Sequence, residues 1–191
     1  MDYKYILHIA MLLISSPAKA WEEIRLRKNI REVSFEYVYP MIGLGALSVF
    51  IGSVVERGWA SAEDYQYAMM QCAGVVVALF GSYFLSAYLI NRVRVQMLSQ
   101  RDDILLSQQF TGYAMTVTFL LQILTGILPD LGIISMMLQF YVIYLVWEGS
   151  DKLLDVAEDK RTVFTVISTV ILLVCPWLLR FVFDKLNILL N

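Results

Sequence analysis

Apolar and polar positions along this chain alternate in long blocks rather than residue by residue. Five blocks approach or reach the length that crosses a bilayer: about residues 39–55, 67–90, 110–128, 131–147 and 163–183. Roughly 20 residues at ~1.5 Å each traverse a ~30 Å hydrocarbon layer, so each block predicts a membrane-spanning helix. The first and fourth are short, and their ends are expected to shift by several residues or to thin the bilayer locally. The two-residue alternation of a membrane barrel is absent, as are the turn clusters that would punctuate it. The expected fold class is all-α integral membrane: five transmembrane helices over 39–191, preceded by an amphipathic N-terminal interfacial helix in a cytoplasmic or interfacial segment, 1–38.

That first segment has its own pattern. Residues 5–14 are apolar, but ten residues are too few to span. Ser16 and Pro17 make a helix start, a hydroxyl cap followed by a residue that needs no N–H. Trp21 and Ile24 then fall three apart. Their face is expected to meet the headgroups, with Arg25 and Lys28 at the interface and Glu23 pairing with Arg27 in water. A helix docked on the loops of the bundle is the rival arrangement. Ala18-Lys19-Ala20 also fits the cleavage pattern of a secretory signal. Cutting there would export the basic run Arg25–Arg31, and the opening "MDYKY" lacks the net positive charge of a signal. An uncleaved segment is therefore expected.

Composition agrees with the pattern. The chain is 59% hydrophobic and 17% charged, with mean hydropathy +0.64. A soluble domain is nearer ~45–50% apolar and ~25% charged, and a small core cannot hide such an excess. A net charge of -2 argues against a nucleic-acid footprint. Charge placement orients the spans. The N-terminal segment and the second and fourth loops hold twelve lysines and arginines, against two or three on the other side. The positive-inside bias puts the N-terminus in the cytoplasm and the C-terminus outside.

Candidate packing and polar residues follow from helical spacing. Gly74, Ala78, Ser82 and Ser86 recur every fourth residue in the second span; Gly45, Ser48 and Gly52 make a shorter series in the first. Small faces let helices approach closely in lipid, against a neighbouring span or a second copy. Thr111, Thr118, Gln122 and Thr125 mark one face of the third span, either as a polar lining or as interhelical hydrogen bonds. No acid, lysine or arginine sits at the middle of a span, where proton relays and ion-coupled pumps place theirs. Pro176 is expected to kink the last span, and Arg180 to pair with Asp184 while reaching the interface. After the fourth span come Glu148, Asp151, Asp155, Glu158 and Asp159. If that helix continues they form a carboxylate ridge: a solvated face, a dock for the basic N-terminal segment, or a site for a hard cation. Cys72 and Cys175 read as buried apolar residues. With His8 the only histidine, no metal or cofactor is expected.

Several stretches resemble the Yip family, named for Ypt/Rab-interacting members. "SSPAKAWEEI" is similar to the Pro-x-x-x-Trp element of bacterial members, on Pro17 and Trp21. "QQFTGYAMTVTFLLQIL" resembles the family's Gly-Tyr at the start of span three, on Gly112 and Tyr113. "GILPDLGI" and "YVIYLVWEGSDKLLDVAEDKR" follow in family order. The resemblance implies five spans with a cytoplasmic N-terminus, in agreement with the charge bias. The long N-terminal region and acidic Tyr-Gly-Pro element of the GTPase-linked branch are missing, so a Rab-type partner is not carried over. The short form resembles the bacterial branch, in a cytoplasmic (inner) membrane.

The expected function is a non-enzymatic membrane scaffold or accessory protein that binds partner proteins, lipids or a second copy. The alternative is a small transporter with a polar path lined by span three. An intramembrane enzyme lacks support, because no nucleophile–base pair or paired carboxylates lie at membrane depth.

Overall fold

The computed structural model describes residues 3–26, 33–57 and 61–190. Arg27, Lys28 and Arg31 lie outside the described residues. Among the described residues every regular element is helical. Helices α1 (Tyr3–Ser15) and α2 (Pro17–Leu26) precede the spans. Ser16 joins them without losing a backbone bond: its N–H reaches Leu12 O at 2.8 Å and its carbonyl accepts from Ala20 at 3.1 Å.

Among the described residues four segments are long and apolar enough to cross a bilayer, and a bent helix pair, counted as one span, brings the number to five. A π-helical turn, Ser34–Val38, runs into α3 (Tyr39–Arg57). Next comes α4 (Ala62–Leu98), 37 residues long. At ~1.5 Å per residue it measures about 55 Å, so it extends well beyond the expected 67–90 and past the hydrocarbon. Ser61 caps its start by accepting from Asp64 N at 3.2 Å. Ser99, at φ 54°, ends it in the left-handed conformation.

The third span is not one helix. α5 (Ile104–Ala114) and α6 (Thr116–Ile127) meet at Met115 with a 41° bend. Beside it, Thr116 Oγ1 donates to Tyr113 O and accepts from Tyr37 OH, both at 2.7 Å. A hydroxyl drawn into the backbone ladder is a known cause of helix bending. The fourth span, Pro129–Lys152, strings two short helices, α7 (Gly132–Leu138) and α8 (Val142–Lys152), between 3-10 turns. The fifth, α9 (Glu158–Leu190), continues through Pro176 as a single helix.

Small residues set the helix contacts. α3 crosses α6 at Gly52 and Gly126, where a Cβ on either would run into the other helix's backbone or Ser48. Gly45 lies beside Gln122 and Leu79, and Ser48 Oγ donates to Gly45 O at 2.7 Å. On α4, Gly74 faces Arg180 and Phe183 of α9. Ala78, Ser82 and Ser86 are also buried, so all seven small residues pack inside the single chain. Close approach supplies the van der Waals contact that holds helices together where lipid removes the hydrophobic drive.

Candidate functional site

Two regions combine polar chemistry with defined geometry. The first is the seat of α2. Its buried face, Pro17, Ala20, Trp21 and Ile24, lies against α8 and α5. The Trp21 ring is fully buried, stacked on Phe110 at 5.5 Å and edge-on to Tyr113 at 6.3 Å. Its Nε1–H donates to Leu145 O at 3.0 Å. A Cβ on Gly149 would stand 2.6 Å from the indole, so only glycine leaves room for it. Gly112 likewise leaves room for Val38, and Tyr113 OH meets Tyr5 OH at 3.0 Å. Thus Pro17, Trp21, Gly112 and Tyr113 converge on one aromatic seat.

This corrects the expectation that Trp21 and Ile24 face the headgroups. The α2 face that looked amphipathic for lipid is matched by protein, and the indole N–H finds a carbonyl there. The apolar face left open belongs to α1: Tyr3, Leu7, Met11 and Ile14 are exposed. Glu23 meets His8 at 3.2 Å; its expected partner Arg27 lies outside the described residues.

Around the seat, charges pair across elements. Arg25 donates to both oxygens of Asp155, at 2.9 and 3.1 Å, and to Lys152 O at 3.0 Å. Lys152 lies 3.5 Å from Glu22 and 3.6 Å from Asp151. Arg161 reaches Asp151 at 3.6 Å and stacks over Trp147 at 4.3 Å while donating to its carbonyl. The continuous carboxylate ridge is overturned. α8 stops at Lys152, Leu153 and Leu154 turn inward, and Asp155 sits at φ 47°. The five acids therefore diverge. Asp155 goes to Arg25 and Asp151 to Lys152 and Arg161, Glu148 stays half-buried on α8, and Glu158 and Asp159 open α9, where the helix dipole favours them. Among the described residues no three His, Cys, Asp or Glu side chains gather as a metal site requires.

A buried polar network braces the same end. Arg94, 3% exposed, donates to Gln100 Oε1 at 3.0 Å, Asp103 O at 3.1 Å and Ser107 Oγ at 2.8 Å. Asn91 adds Asp102 at 2.7 Å, and Gln100 reaches Leu154 O at 2.8 Å. The sequence carried a signal in "NRVR", where the second span runs on into charge, but spacing did not reveal its partners.

The second region is a crevice between α6 and α9, floored by α3 and α4. Its cavity of about 380 Å³ is lined by Thr118, Gln122, Gln71 and Arg180 among apolar residues. Arg180 donates to Asp184 at 3.2 Å, to Gln71 O at 3.4 Å and to Gln71 Oε1. Thr118 accepts from Gln139 at 2.6 Å. Thr125 bonds back to Leu121 O at 2.8 Å and faces an adjoining cavity of about 500 Å³; Trp177 lines both. Thr111 is not on this lining. It is buried on α5, on the far side of the bend at Met115. The four-residue stripe is thus corrected to Thr118 and Gln122 in one cavity and Thr125 in the next. Gln71 and Arg180 complete the first, and a single-helix spacing argument could not find them.

Searches against curated proteins and against solved structures return no match. The family model described as the Yip1 domain matches residues 11–179. That reach takes in the Trp21 seat, the first four spans and the fifth as far as Leu179, and the chain belongs to the Yip1-domain family of membrane proteins.

Proposed function

We propose that the protein is a non-catalytic membrane scaffold or accessory subunit that binds partner proteins and contacts lipid. In this reading it sits in a bacterial cytoplasmic membrane, with the segment 1–38 and the α2 seat in the cytoplasm and the C-terminus outside. The observation that carries it is how the α2 end of the bundle is filled. Trp21, Tyr37, Tyr83, Phe110, Tyr113 and Phe119 are fully buried, and ion pairs such as Arg25–Asp155 cover the seat. Leu26, 82% exposed at the end of α2, is where a partner would first meet that surface. A photoreactive amino acid at Leu26 tests this in cells: a discrete crosslinked protein of fixed mass is expected, absent when the probe sits at lipid-facing Met137.

A second reading, a small permeation protein, is favoured by one observation, the polar crevice. Solute flux into proteoliposomes that disappears when Thr118→Val and Gln122→Ala are combined would replace the scaffold reading. The packed aromatic seat leads us to expect no such flux.

A further inference from the structure

We propose that the crevice between α6 and α9 is a phospholipid site, with the lipid phosphate at Arg180 and Gln122. The inference rests on the five-span reading and makes its lipid contact specific. It does not depend on partner capture at Leu26.

Depth along the membrane supports it. Arg161, anchored to the Trp147 carbonyl, and Arg180 are separated by about 28 Å of α9 at ~1.5 Å per residue. A hydrocarbon layer is ~30 Å thick. With Arg161 at one boundary, Arg180 stands at the other, where phosphates lie. Trp177, 68% exposed one turn earlier, is placed as an interfacial tryptophan should be.

The donors are of the right kind. A guanidinium carries five N–H groups. Three of them go to Asp184, Gln71 O and Gln71 Oε1. Two remain, one on each terminal nitrogen, and a guanidinium N–H is a strong donor to phosphate oxygens. Gln122 lines the same cavity, and its side chain makes no hydrogen bond among the described residues. Asp184 offsets the charge of Arg180, and Lys185 follows it in sequence, its Nζ 5.6 Å from the Phe181 ring centre.

The rest of the crevice suits acyl chain. Beyond Trp177 the adjoining cavity is lined by Leu173, Met136 and Phe140, with Thr125, Ser135 and Gln139 as its polar members. A cavity holding Arg180 and Gln122, joined at Trp177 to a second and mainly apolar one, matches an amphiphile better than a free anion, which would leave the second cavity empty.

Native mass spectrometry of the detergent-purified full chain tests this. Phosphatidylglycerol is titrated against diacylglycerol of the same chains, with millimolar inorganic phosphate as competitor. The expected result is a retained phosphatidylglycerol adduct, weakened about tenfold by Arg180→Gln and by Gln122→Leu, since a hydrogen bond to a charged group contributes about that factor. Gln122→Leu removes no existing bond, so unchanged thermal unfolding should accompany its loss of lipid. Equal retention of diacylglycerol, adducts indifferent to both substitutions, or displacement by phosphate alone would each overturn the proposal.

Discussion

Trp21 hides its ring between Phe110 and Gly149 and gives its N–H to Leu145 O. Removing that side chain leaves a large cavity at the centre of the seat. Trp21→Ala should therefore lower stability by about 3–5 kcal/mol, read as a fall in the thermal midpoint in detergent. Gly149→Leu attacks the same contact from the other side. It should evict α2 while leaving the spans folded, so trypsin would cut at Arg25 where the parent protein resists. The Arg25–Asp155 pair is half-exposed on both sides. Asp155→Ala should change stability by no more than about 1 kcal/mol, and less at high salt. The contrast separates what positions α2, the buried ring, from what decorates it.

At the scale of elements, the close crossing of α3 and α6 is the most sensitive feature. Gly126→Ala puts a Cβ against Ser48 and the Val49 backbone, whereas Gly43 and Gly132 have nothing within 4 Å. The first should cost about 1–3 kcal/mol by overpacking. Alanine at the other two positions should leave the midpoint unchanged. Element type and order were legible in the sequence because long apolar blocks can become only one thing in lipid. Breaks within blocks were not. The bend at Met115 depends on Tyr37 reaching Thr116 from 79 residues away, and the end of α8 on Leu153 and Leu154 finding the core. Both displaced residues that helical spacing had aligned: Thr111 left the polar lining, and the five acids parted. Trp21 was misplaced for a related reason. An amphipathic face states that a partner is apolar, and not whether that partner is lipid or protein. The small-residue series states only that something approaches closely; in the fold the neighbours are α6 and α9.

For the whole molecule, the proposed five-span arrangement puts the ends of α1 and α9 in different compartments. Single cysteines at Tyr3 and Ile188, both well exposed, should label from opposite sides of intact cells once Cys72 and Cys175 are replaced by alanine. Labelling of both from one side would remove a span. The fourth crossing differs from the others in its support. Only 17% of its apolar window is buried within the chain, against 33–50% for the other single-helix spans. Residues such as Ile133, Met136, Met137 and Phe140 look outward. A segment so thinly covered by its own polypeptide keeps its shape through the surrounding acyl chains, and its amides are shielded by solvent exclusion more than by packing. When strong detergent strips those chains, deuterium should enter Gly132–Tyr141 sooner than α6, so the bilayer itself acts as the missing neighbour that completes this protein's fold.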